Sequence, residues 1–274
     1  MKNLGFIAFL VLAAAVYIGI HFSFERSSVL RVGIECDNPP NNWLEDRETD
    51  SNVPVANLED RYAEGYDIQI AKIVADSMRA KLEVHKIDWN ELIPALERHE
   101  IDAIFSSMLD TEERKKIIAF SDAYEDRITE YVVVVHRDEK YSEAQKITDF
   151  AGAKFIGQNG TLSDRLIAQI PNAVHLAGVD SMNEMLTKFR KREADCIILS
   201  MESFNMYRQT YPKAKVVRFS QGEGFSFDYT GVCAGVRKDN AHLLNSINRA
   251  LRDISKHDRQ RIMDRSIARE WDNF

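Results

Sequence analysis

Hydrophobic positions fall into two regimes along the chain. Residues 4–20 are an unbroken run of apolar residues and glycine, and Lys2 is the only charge before Glu25. From Val29 onward, short β-branched runs alternate with stretches whose apolar residues recur at helical spacing. Val29-Leu30-Arg31-Val32-Gly33-Ile34 predicts a strand that ends at Asp37-Asn38-Pro39-Pro40, because proline neither donates to a ladder nor enters a helix interior. Residues 45–64 are polar, acid-rich and without a clear period, which predicts a solvated loop. Behind the turn at Glu64-Gly65, residues 67–78 place Ile68, Ala71, Ile73, Val74 and Met78 near one helical face. A strand over 81–87, a short helix over 89–98 and a buried strand over 101–105 follow, the last ending in Ser106-Ser107. Thr111 is placed to cap the helical turn of Glu112-Glu113-Arg114-Lys115, and the valine run 131–136 is a strand.

A second series repeats the alternation. It has a strand over 154–158, the turn Asn159-Gly160-Thr161, helices over 163–170 and 182–190, a strand over 195–199 and a helix over 201–211. A strand over 231–236 and an amphipathic helix over 241–256 close the pattern. Strands separated by helices predict parallel βαβ units in open sheets, and two such series of about a hundred residues each predict two α/β lobes. Ligands of open α/β sheets bind beyond the carboxyl ends of the strands, so the cleft between the lobes is where chemistry is expected.

The N-terminal run, 17 residues long and extended by Phe22 and Phe24, has the size and cationic start of an export signal or a membrane anchor. Its small residues Ala13, Ala14 and Ala15 lie mid-run, and His21-Phe22-Ser23-Phe24 is a poor cleavage site. The expectation is a retained anchor, residues 1–24, with the body outside the membrane. For the rest, 274 residues at 45% hydrophobic and 29% charged supply a sizeable core. A net charge of -7 argues against a nucleic-acid partner, which needs basic surface. Cys36, Cys196 and Cys233 are too dispersed for a disulfide scaffold or a metal site and read as small buried hydrophobes. The seven histidines show no ligand spacing, and neither GxSxG nor a P-loop occurs, so no metal or cofactor is implied.

Several pieces in order carry a resemblance. They are Leu30-Arg31-Val32-Gly33 with Pro39-Pro40, Gly65-Tyr66-Asp67-Ile68, Asp88-Trp89 with Leu92-Ile93-Pro94-Ala95-Leu96, and Ile101-Asp102-Ala103. Thr111-Glu112-Glu113-Arg114, Phe120-Ser121-Asp122-Ala123-Tyr124, Gly157-Gln158-Asn159-Gly160-Thr161 and Gly235-Val236-Arg237-Lys238 continue it. Over residues 29–271 the chain resembles the family-3 extracellular solute-binding proteins, the periplasmic amino-acid receptors of ABC importers. The resemblance implies the two-lobe periplasmic-binding-protein fold, an α/β architecture with a hinged cleft. It places lobe one over 30–126 plus 230–274 and lobe two over 127–229, with crossings near 126–128 and 228–230. It implies a small amino acid or related carboxylate as ligand, an ABC permease as partner, and a location on the outer side of the bacterial inner membrane.

By the same likeness Arg114 clamps the ligand carboxylate, a role its planar fork suits, and Ser107, Gly160 and Thr161 offer hydroxyls and backbone groups. Glu35 keeps the acid found at the end of the first strand. Other positions depart from the pattern. Where the family has an acid for the ligand ammonium this chain has Ser200; Glu202 either takes that role or is a first-turn helix acid. Asn38 and Asn41 replace the aromatic sandwich, Leu109 replaces a hydroxyl, and Trp43 either supplies a cleft wall or packs its loop. The expected function is solute capture for transport and not catalysis. Two alternatives stay open: a cyclohexadienyl dehydratase-like enzyme, needing a placed acid such as Glu35 or Glu202, and a sensory or structural module that has lost transport.

Overall fold

The computed structural model describes residues 28–125, 130–220, 222–227 and 231–271. Two five-stranded sheets organise it. The first runs Ala80–Lys86, Ser28–Ile34, Ala103–Ile104, Val232–Val236, Ala119–Glu125 in spatial order. The second runs Val174–His175, Lys154–Phe155, Cys196–Ser200, Tyr131–His136, Ala214–Val217. Sheet membership changes between Glu125 and Tyr131 and again between Val217 and Val232. The crossings expected near 126–128 and 228–230 fall in stretches outside the described residues.

The sheets are mixed, which corrects the expectation of parallel units throughout. Ser28–Ile34 is parallel to Ala80–Lys86 and Ala103–Ile104, but Val232–Val236 lies antiparallel between Ala103–Ile104 and Ala119–Glu125. In the second sheet Tyr131–His136 is antiparallel to both neighbours. A strand whose chain arrives from the other sheet is not paired with the strand before it through a βαβ unit, so nothing forces it parallel.

The valine run shows why these sequences make two-faced strands. Val133 and Val135 pack into one core with Phe155 and Ile198, while Val132 and Val134 face another with Leu186 and Phe189. With both faces covered, the alternation of polar and apolar residues disappears. The helix Tyr66–Ser77 buries Ile68, Ala71 and Val74 as its spacing predicts. The helix expected over 241–256 runs Ala241–Arg252, and a second, unpredicted one, Lys256–Trp271, follows it, started where the Ser255 hydroxyl accepts from the Asp258 amide.

Residues 45–64 are not a simple solvated loop. Asn42–Glu45, Val53–Pro54 and Tyr62–Glu64 join Asp37–Asn38 in a small antiparallel sheet. Val55, Ala63 and Glu64 are buried there, so a few inward residues suffice to order an otherwise polar segment. Trp43 is buried in this sheet with its indole N–H donating to Glu45 Oε1 at 2.6 Å, and it packs its own loop instead of walling the cleft. The three cysteines are free and buried, and burial pushes the Cys36 and Cys233 thiols up to about 12. Among the described residues no helix is long and apolar enough to cross a membrane; residues 1–24, where an anchor is expected, lie outside them.

Candidate functional site

Between the two large sheets lies a cleft of about 940 Å³, continuous with solvent. Every residue expected at the site lines it except Gly160, which meets it through its carbonyl.

Among the described residues that line the cleft, Arg114 is the one cation. The Thr111 side chain caps the short helix Glu112–Lys115 by accepting from the Arg114 amide, and that turn directs the arginine inward, leaving it 8% exposed. Its Nη1 donates to the Leu109 carbonyl at 3.0 Å and its Nη2 to the Gly160 carbonyl, across the cleft, at 2.8 Å. The guanidinium stacks over Trp89 at 5.0 Å. No carboxylate of the described residues pairs with it. Burial, with Arg165 nearby, lowers its pKa to about 10, so it stays charged at neutral pH but is short of counter-charge. A guanidinium has five N–H groups, and two carbonyls leave three to donate elsewhere.

Gly160 sits at φ +72°, a region glycine enters freely, and a Cβ there would come within 3.3 Å of Asn90 Oδ1 on the facing wall. The Thr161 hydroxyl accepts from the Asp164 amide and donates to the Gln158 carbonyl at 2.8 Å, so it caps the helix Leu162–Leu166. Ser107, at φ +50°, donates its hydroxyl to Asp67 Oδ2 at 2.9 Å and faces the cleft only with its remaining acceptor capacity. Glu35 is buried at the end of the first strand, its backbone N–H donating to Ser106 Oγ and its carboxyl accepting from Gln158 Nε2 of the opposite wall. Burial raises its pKa to about 7.

The other end of the cleft carries the departures. Ser200 caps the helix Met201–Tyr207, accepting from the Ser203 amide at 3.0 Å and donating to Ser203 Oγ at 2.9 Å. Asn38 Oδ1 accepts a long bond from Ser203 Oγ, 3.4 Å, across the cleft. Glu202 is in the first turn of that helix, and it also lines the cleft. Its Oε2 is buried with no hydrogen-bond partner. A buried carboxylate oxygen without a donor is costly, and a ligand donor would relieve it.

Trp89 and Gln158 line the cleft without having been singled out; their motifs were conspicuous, but their roles depend on what the opposite wall presents. Met182, Met185 and Leu199 add an apolar wall from the second sheet's side. Among the described residues no group of three or more His, Cys, Asp or Glu is placed to hold a metal ion.

Residues 30–267 match the model of the bacterial extracellular solute-binding proteins, family 3. ABC transporter arginine-binding protein 1 of Escherichia coli (strain K12) is 27% identical over 190 residues, 69% of this chain and 75% of that protein. The solved substrate binding protein of an amino acid ABC transporter is 25% identical with a TM-score of 0.73, covering 88% of this chain and 100% of that one. An ancestral arginine-binding protein bound to glutamine is 27% identical with a TM-score of 0.71, covering 88% and 98%. With a two-lobed α/β architecture and a family match over most of its length, the chain belongs to family 3 of the bacterial extracellular solute-binding proteins.

Proposed function

We propose that this chain captures an α-amino acid with a cationic side chain, L-arginine first among them, and delivers it to the permease of an ABC importer. The observation that carries the reading is a pair of unmet charges in one cleft: Arg114 without a carboxylate, and Glu202 Oε2 without a donor. The two α-groups of an amino acid are the missing partners, carboxylate to Arg114 and ammonium to Glu202. Glu35 is then left to face the side chain, and a cation there would ionise it by offsetting its burial. Relatives named for arginine support that choice. Gly160, Asn38 and Ser200 shape the site, Ser200 by holding the helix that carries Glu202.

In this reading lobe one is 30–126 plus 230–274 and lobe two is 127–229, closing on the ligand about the two crossings. The body works outside the cytoplasmic membrane, tethered through residues 4–24, and acts by binding without turnover.

A thermal-shift series over the twenty amino acids tests it, since a ligand that binds only the folded state raises its stability by mass action. L-Arginine should give the largest rise, neutral amino acids less, and agmatine, which lacks the carboxylate, almost none. No response to any amino acid would overturn the reading in favour of a module that has lost transport. Glu35, titrating near neutrality, also has the property a general acid needs, so turnover of prephenate or arogenate would replace binding with catalysis.

A further inference from the structure

Asp37 and Asn183 do not line the cleft, but each is next in sequence to a residue that does, Asn38 and Met182. Asp37 lies in the short strand Asp37–Asn38, and Asn183 is the second residue of the helix Met182–Arg190 on the opposite side. The Asn183 backbone N–H donates to Asp37 Oδ2 at 3.2 Å, and its side-chain amide donates to Oδ1. The carboxylate thus receives two bonds from one residue and sits at the positive end of a helix. That helix has its own cap, the Ser181 hydroxyl accepting from the Glu184 amide, and does not depend on Asp37 to form.

We infer that Asp37 and Asn183 are the clasp that keeps the cleft closed over its ligand, positioning residues that set how long the ligand stays. The inference rests on the solute-binding reading above. These bonds exist only while the two sides are together, so they stabilise the closed form alone. Apparent affinity scales with the population of the binding-competent form. A contact that forms after the ligand arrives slows dissociation more than it speeds association.

Asn183→Asp is the sharp test. An acid in the first turn suits the helix, so the fold is kept, but the donor is replaced by a like charge facing Asp37. The other charged or titratable groups around the pair are Glu35 and Cys36 on Asp37's own segment, Lys86 and Asp88 at the neighbouring strand end, and Glu184 on the helix. Burial already raises the Asp37 carboxyl, and Lys86 opposes that. With L-arginine as probe, stopped-flow at pH 8 should show dissociation from N183D roughly tenfold to a hundredfold faster than from wild type, with association little changed. Near pH 5 the two acids can share a proton, and much of the loss should return. The double variant D37N/N183D exchanges amide and carboxylate and should recover slow dissociation at pH 8. Unliganded melting temperatures should match throughout. Wild-type dissociation rates in N183D at pH 8, or no recovery in the double variant, would overturn the clasp while leaving ligand capture intact. A wild-type protein that does not bind L-arginine would overturn both.

Discussion

Two acids near the cleft, one in its floor and one in its far wall, are treated in opposite ways. Asp67, in the floor, is fully buried and its carboxylate accepts from Tyr124 Oη at 2.8 Å, Asn42 Nδ2 at 2.7 Å and Ser107 Oγ at 2.9 Å. Glu202, in the wall, buries one carboxylate oxygen with no donor at all. The floor acid is completed by the protein and holds three segments together: the 38–42 turn, the 106–109 loop and the strand Ala119–Glu125. The wall acid is completed by nothing in the described structure. The same contrast divides the arginines, since Arg31 pairs with Asp102 at 2.9 Å while Arg114 has only carbonyls. Satisfied charges build the site, and unsatisfied ones are available to the ligand.

The comparison breaks most visibly at Asp67. Asp67→Ala leaves three donors facing each other in the floor, with Asn42 fully buried among them. Each orphaned donor costs about 1–3 kcal/mol, partly offset by removing a desolvated charge, so a loss of about 3–5 kcal/mol of stability is expected. Urea denaturation checks it. A variant as stable as wild type would mean that the floor does not depend on its carboxylate.

Arg114→Ala should do the reverse. The unliganded protein should stay within about 1 kcal/mol of wild type, because two carbonyl bonds and a stacking contact only partly compensate a buried charge. Ligand affinity should fall by about 2–5 kcal/mol, roughly thirtyfold to several-thousandfold, since the ligand carboxylate is left desolvated and unpaired. Arg114→Lys should rescue part of it, as a point charge lacks the two-pronged geometry. Calorimetry decides, and unchanged affinity in Arg114→Ala would remove the carboxylate clamp.

What the sequence made legible follows the same division. Elements whose signal is local were readable: the strand Tyr131–His136 and the helix Met182–Arg190 fall where β-branching and helical spacing put them. Ladder direction was not, because Val232–Val236 takes its antiparallel neighbours from strands more than a hundred residues away. The small sheet within 37–64 was missed because so few of its residues face inward. At the site, Arg114 sits in a run of charges that by composition alone reads as solvated surface; only the resemblance to a family placed it in a cleft. The sequence does not choose between the two readings of Glu202, because they do not exclude each other: the first turn of its helix opens onto the cleft.

Solution pH sharpens the contrast between completed and uncompleted acids. Burial raises Asp67 from 3.8 to about 6 and Glu35 from 4.5 to about 7. Both therefore bind protons more tightly folded than unfolded, and stability falls as pH rises from about 4 to about 7, by ~3 kcal/mol for each. Asp102 runs the other way: burial raises its carboxyl, but the hydrogen bonds and charge of Arg31 outweigh that and leave it below the usual range. Its contribution is present at neutral pH and is lost only in stronger acid. Urea titrations at pH 5, 6, 7 and 8 should show the decline. Glu35→Gln should remove about two thirds of it, because most of the Asp67 share falls below pH 6, and saturating L-arginine should flatten the same part by favouring the ionised form. A slope indifferent to both would place the titration elsewhere.

The smallest expected effect is the most specific. The resemblance to the family puts Ser200 at the position of an ammonium-binding acid; in the structure its hydroxyl accepts from the Ser203 amide as a helix cap. Aspartate caps as well as serine, so Ser200→Asp should change unliganded stability by no more than about 0.5 kcal/mol. Its effect on binding separates two histories of the site. If Glu202 has taken over the ammonium, a second carboxylate beside it is redundant: part of its charge is spent on the cap, and the like charge on Glu202 opposes it. Affinity for L-arginine should then change by less than about tenfold, which is about 1.4 kcal/mol. The double variant Ser200→Asp with Glu202→Gln completes the argument. It restores a single acid two residues earlier and should recover most of what Glu202→Gln alone loses. A large gain in affinity from Ser200→Asp alone would show instead that the ammonium subsite is empty in the natural protein and that Glu202 is only a first-turn acid.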